Sequence, residues 1–73
     1  MEPAIGDWVL TADGQHLGRV KRVSDGAFQL DVTGEPDYWL RLDEVGGVGE
    51  EVLRTVRMSF PSETLEDHRI KYG

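Results

Sequence analysis

The amino-acid sequence predicts a mostly β fold: a small antiparallel barrel of about five or six strands, followed by a short C-terminal tail or helix. Three observations lead there. Two Asp-Gly pairs, Asp13-Gly14 and Asp25-Gly26, each stand between apolar stretches. Asp-Gly is a strong hairpin signal, because the tight turn needs positive φ that glycine adopts without steric strain. Phe28-Gln29-Leu30-Asp31-Val32 alternates strictly between apolar and polar residues, the period of a half-buried strand. Tyr38, Leu40 and Leu42 alternate with Trp39, Arg41 and Asp43 in the same way.

Taken in order, Trp8-Val9-Leu10 forms a first strand, and Asp13-Gly14 turns it into a second over Leu17 to Val23. Asp25-Gly26 returns the chain into the third strand, Phe28 to Val32. Thr33-Gly34-Glu35-Pro36-Asp37 is dense in breakers and leads to the fourth. Gly46, Gly47 and Gly49 mark a loop, and Val52 to Phe60 gives a fifth strand with Val56, Met58 and Phe60 on one face. The expected core is Val9, Val20, Phe28, Leu30, Val32, Leu40, Leu42, Val45, Val56 and Met58. Residues 1–60 thus form the barrel domain and 61–73 the tail. In the tail Ser62 or Thr64 is the candidate helix cap, Thr64 with Asp67 makes a box-like pair, and Leu65 and Ile70 are the apolar anchors.

A chain of 73 residues is one domain. At that size only roughly 60% of the unfolded chain's surface is buried on folding, so the margin of stability is thin. There is no cysteine, hence no disulfide or thiolate metal site to supplement the core. No apolar run reaches membrane-spanning length, and the N-terminus, MEPAIGDW, lacks the basic and apolar regions of a secretion signal. A cytoplasmic chain is expected. The net charge of -6 opposes binding to nucleic-acid phosphates, which rests on Lys and Arg neutralising them.

The order of these motifs resembles the PRC-barrel superfamily. The likeness is carried by Gly6-Asp7-Trp8-Val9-Leu10, by the Asp-Gly turn leading to Leu17-Gly18-Arg19-Val20, and by Trp39-Leu40-Arg41-Leu42-Asp43 followed by Val45. It is greatest for the small stand-alone bacterial members, whose function is not established, and covers roughly residues 5 to 60. The chain departs from the pattern at Arg41, where members often carry Pro. The resemblance implies a β-barrel adaptor or interaction module and supplies no catalytic residues.

The residues themselves give little support to catalysis. "GGVGEEV" lacks the third glycine and the βαβ setting of a dinucleotide loop. His16 and His68 are far apart in sequence, whereas zinc sites use closely spaced ligand pairs. The acids Asp43, Glu44, Glu50 and Glu51 lack the spacing of a calcium loop and are expected to form a solvated acidic loop. No serine sits in a nucleophile elbow. Neither an enzyme nor a metal or cofactor site is expected. What remains is surface chemistry. Trp39 and Arg41 project from one face of the fourth strand, and Trp8 is the third candidate for partner binding, since Trp and Arg are enriched at interface hot spots. The tail is the alternative cover for Trp39. Self-association as a homodimer through strand-edge or tail contacts is expected, because a small domain gains from pairing. The alternative function is an RNA- or ribosome-associated barrel binding through Arg19, Lys21, Arg22, Arg54 and Arg57.

Overall fold

The computed structural model describes residues 2–50 and 53–71. Six strands form one sheet: β1 (Trp8–Leu10), β2 (His16–Ser24), β3 (Ala27–Asp31), β4 (Trp39–Arg41), β5 (Val45–Gly49) and β6 (Thr55–Met58), in the spatial order β4-β3-β2-β1-β6-β5. A 3-10 turn (Leu42–Glu44) joins β4 to β5, and the tail folds as a second 3-10 turn (Ser62–Thr64) running into α1 (Leu65–His68). The mostly β character expected from the alternation is what the chain adopts. Two turns follow directly from their residues. Asp25 and Gly26 both take positive φ, 46° and 77°, the pair that a two-residue type I′ hairpin requires. The longer Asp13-Gly14 turn is tied by the Gly14 N–H to Thr11 O, 3.0 Å.

The sheet is mixed and open, not an all-antiparallel closed barrel. The reason is parity. Every neighbouring pair is antiparallel except β1 and β6, which run parallel with Val9 beside Val56. The expected fourth and fifth strands do run in opposite directions, as β4 and β6, but an additional strand, β5, stands between them in the chain and follows β4 without a reversal. The single turn Leu42–Glu44 moves the chain sideways from one edge of the sheet to the other without turning it round. β5 therefore continues in the direction of β4, and its hairpin partner β6 must come back parallel to β1. Because so short a connector spans only about 6 Å, the sheet has to curl until its two edges are neighbours.

Gly46, Gly47 and Gly49 form no loop. They are strand residues of β5, with Gly47 beside Arg57 and Gly49 beside Thr55, and Gly46 at a bulge. The expected fifth strand shortens to Thr55–Met58; its proposed start at Val52 lies outside the described residues, as do Met1, Glu51, Tyr72 and Gly73. The fourth strand ends at Arg41, with Leu42 already in the 3-10 turn. In the tail Thr64 caps nothing: its hydroxyl donates to Pro61 O at 3.2 Å, and no box forms with Asp67.

Val9, Val20, Phe28, Leu30, Leu40, Val56 and Met58 are buried in one cluster, joined by Tyr38 and Phe60. Val32, Leu42 and Val45 pack against it half-buried, since each sits where a strand ends or an edge begins. Leu40→Ala should cost about 2 to 5 kcal/mol, measurable by urea denaturation and comparable with the whole stability of so small a domain. Gly18 marks a close approach: at φ +151°, a Cβ there would stand 2.9 Å from Asp31 O. Gly18→Ala should lower stability by about 1 to 3 kcal/mol by the same assay.

Candidate interaction surface

The two edges of the sheet are treated differently. At β4 the tail lies alongside: Ile70 bridges to Trp39, donating its N–H to Trp39 O at 3.0 Å. Arg41 Nη1 donates to His68 O at 3.2 Å and stands 3.6 Å from Glu44 Oε1. The period-two alternation holds here, with Trp39 and Arg41 beside Gln29 and Ala27 while Leu40 lies beside Phe28 in the core. The tail is pinned at further points. The His68 ring stacks on Phe60 at 4.2 Å, nearly parallel, and its Nδ1 pairs with Glu44 Oε2. The Arg69 guanidinium lies 4.2 Å over the Tyr38 ring and pairs with Glu35 at 2.8 Å. Hydrogen bonding to Arg69, more than its charge alone, holds the Glu35 carboxyl below the usual glutamate range.

Asp13 fastens the start of the tail to the first turn. Its carboxylate accepts from the Thr11 hydroxyl at 2.5 Å, the Ser62 N–H at 2.9 Å and the Ser62 hydroxyl at 2.7 Å. Those donors, Thr11 first, lower its pKa to about 2.

At the opposite edge no strand pairs with the outer side of β5 among the described residues. The register explains the shape of the surface there. Val48 lies beside buried Val56 and faces the core side, so the alternate positions Gly47 and Gly49 carry the outer face beside Arg57 and Thr55. With no side chains on β5's outer face, a trough of about 540 Å³ opens between the edge and the outward side chains of Leu10, Thr55 and Arg57, with exposed Leu53 at its end. Arg57 Nη1 lies 3.4 Å from Thr11 O and Ala12 O, and no carboxylate pairs with it among the described residues.

The remaining sequence candidates are spread over the sheet. Trp8, on β1, is half-buried under its own neighbours: the Arg19 guanidinium lies 4.7 Å from its ring and His16 meets it edge-on at 6.0 Å. Three strand steps separate β1 from β4, so Trp8 does not share a patch with Trp39 and Arg41. Lys21 occupies a bulge in β2 and Arg22 lies exposed beside Gln29. Arg54 is engaged by acids: its Nε bonds both oxygens of buried Asp7 at 2.9 and 3.0 Å, and its Nη1 bonds Glu50 at 2.9 Å. Asp7 also accepts from the Ala4 N–H at 2.8 Å, so this lock closes the N-terminal segment over β6. Of the acids expected in one solvated loop, Asp43 and Glu44 precede β5 and Glu50 follows it, with Glu44 and Glu50 about 20 Å apart at the rise of an extended chain. Glu51 lies outside the described residues.

Sequence reasoning placed neither the bare edge nor the Asp7–Arg54 lock. Glycine content alone does not separate a strand from a loop, and the partners Asp7 and Arg54 are 47 positions apart. The chain matches no family model, no curated protein and no solved structure in comparisons with each.

Asp13 yields a pH prediction. Its folded pKa lies below its unfolded one, so between them the unfolded chain binds more protons. The stabilisation is complete above about pH 4 and is lost as pH falls through about 2. Asp13→Asn should be less stable at neutral pH and lose less on acidification over that window, read as parallel urea midpoints of the two proteins.

Proposed function

We propose that this chain is a non-catalytic protein-interaction module that takes an extended partner segment onto the open edge of β5. One observation carries the reading. Glycine inside a strand lowers stability by roughly 0.5 to 1 kcal/mol relative to alanine, and neither Gly47 nor Gly49 has a structural reason to be glycine. Neither has positive φ, and a Cβ at either would meet nothing within 4 Å. Gly46, by contrast, faces Arg57 O at 3.3 Å from its Cβ position. Glycines with free space around them on an edge strand suit the close approach of another backbone. Strand addition of this kind draws affinity from main-chain hydrogen bonds and specificity from the flanking pockets. An edge of five residues, with each bond worth about 0.5 to 1.5 kcal/mol net, suits a reversible adaptor.

As part of the same proposal the fold is a PRC-like barrel, supported by the motif order over residues 5 to 60 and by a curled sheet whose two edge strands, β4 and β5, are consecutive in the chain. The same resemblance favours an adaptor. Of the basic set in the RNA reading, Arg54 is paired with Asp7 and Glu50 and Arg19 stacks on Trp8, which leaves that reading the weaker one.

Natural edge strands are commonly blunted by lysine, so Gly47→Lys should close the edge while keeping the fold. Selection of random nine-residue peptides on the wild-type chain should enrich sequences that protect the Gly46 to Gly49 amides from hydrogen exchange. The same selection on Gly47→Lys should enrich none of them. Identical peptides from both chains, or protection confined to another strand, would refute the proposal.

A further inference from the structure

The cations of the chain divide by whether an acid meets them. Arg41, Arg54, Arg69 and Lys71 each pair with a carboxylate. Arg57 at the trough and Arg19, Lys21 and Arg22 on β2 pair with none among the described residues, although acids outnumber Lys and Arg by 14 to 8. Protection of an edge does not explain the three on β2. That strand is an inner one, flanked by β1 and β3, and charge blunts a sheet only at its edges.

The bulge in β2 gathers these cations on one face. Val20 lies in the core beside Leu30, while Arg19 lies on the outer face beside Trp8 and Asp31. Strict alternation would carry Arg22 to the core side with Val20. The bulge at Lys21 shifts the phase by one residue, so that Arg22 pairs with Gln29, in the same row as Trp39, and Val23 takes the place beside Phe28. A bulge leaves its extra residue outside the ladder and commonly re-aims side chains beside a working site. Arg19, Lys21 and Arg22 all end exposed, about 10 Å from first to last along the strand. Arg19 is also held in place, its guanidinium 4.7 Å from the Trp8 ring and its Nε donating to Gly6 O at 3.3 Å. Its Nη groups bond nothing among the described residues.

We infer that this face of β2 binds a short acidic protein segment whose carboxylates meet Arg19, Lys21 and Arg22. A guanidinium takes a carboxylate bidentately, and the patch is short. One acid, Asp31, shares the face beside Arg19, and Asp13 and Asp25 stand in the turns before and after β2. A nucleic acid fits less well, since its affinity grows with the number of phosphates neutralised and a backbone running past the three cations meets those acids. β2 is three strand steps from β5, so this surface is separate from the β5 edge.

The test is an amide chemical-shift titration of the full chain, at low ionic strength, with a nine-residue peptide carrying glutamate at three alternate positions in a Gly-Ser background. The shifts should centre on Arg19 to Val23, and the affinity should fall as salt is added. Net charge alone gives the opposite preference, because a chain at -6 attracts the same peptide with lysine in place of glutamate. That lysine peptide should leave β2 unmoved. Lys21→Glu with Arg22→Glu should weaken the glutamate peptide roughly tenfold, and Lys21→Gln with Arg22→Gln, which reverses no charge, should weaken it by less. The amide spectrum reports in the same experiment that each variant is folded. No shift in β2 with the glutamate peptide, or equal affinity in the wild-type and charge-reversed chains, would overturn the proposal. Shifts confined to β5 would also overturn it and leave the edge reading standing. Tighter binding of a nine-nucleotide oligouridine at the same β2 amides would identify a nucleic acid as the occupant and overturn the acidic-segment assignment.

Discussion

The connector Leu42–Glu44 is the constraint on which the rest of the structure depends. A single turn carries the chain from β4 at one edge of the sheet to β5 at the other. Three consequences follow from its shortness. The sheet must curl, the chain direction is preserved so that β6 meets β1 in parallel, and both edges lie near one place on the molecule. The connector is held where it is by groups from two sides. Leu42 N–H donates to Gly26 O at 2.9 Å, Ser59 N–H donates to Glu44 O at 2.8 Å, and the Glu44 side chain pairs with His68. A β3 hairpin, a β6 terminus and the tail thus converge on one turn.

The tail serves as the cover of the β4 edge more than as an independent element. A helix of four residues is far below the length at which an isolated helix is stable, so the tail is held by what its residues touch: His68 on Phe60, Arg69 on Tyr38, Ile70 on Trp39 and Ser62 on the Asp13 carboxylate. The asymmetry between the edges follows from where the chain runs after β6. It passes from Phe60 to the β4 side and leaves β5 bare. A bare edge is an aggregation liability in most proteins and is usually blunted by charge, proline or a bulge. Here one bulge at Gly46 is present, the central residues stay uncharged, and the acids stand at the ends.

Much of the local structure was legible in the sequence because its causes are local. Asp25-Gly26 sets its own turn, the alternation of Phe28 to Asp31 places Phe28 and Leu30 in the core, and Trp39-Leu40-Arg41 shows which side faces inward. The parallel pairing of β1 with β6 was not legible, because it depends on whether the chain reverses between β4 and β5. No residue there signals a continuation instead of a turn. The three glycines misled for a related reason: glycine signals a turn only where φ is positive, and in β5 it is not. The candidate site went unread with them, since an edge is a property of strand order and not of any single residue.

The central claim is that one edge of the sheet is covered and the other is open, and amide hydrogen exchange of the free protein tests it most directly. The Ile70 amide, bonded to Trp39 O across the β4 edge, should be protected together with the core strands. Beyond Val45, whose N–H bonds Leu42 O, the β5 amides directed away from β6 should exchange at rates near those of unstructured chain, while those bonded to β6 stay protected. Protection of every β5 amide, or an Ile70 amide that exchanges as fast as solvent-exposed backbone, would contradict the account.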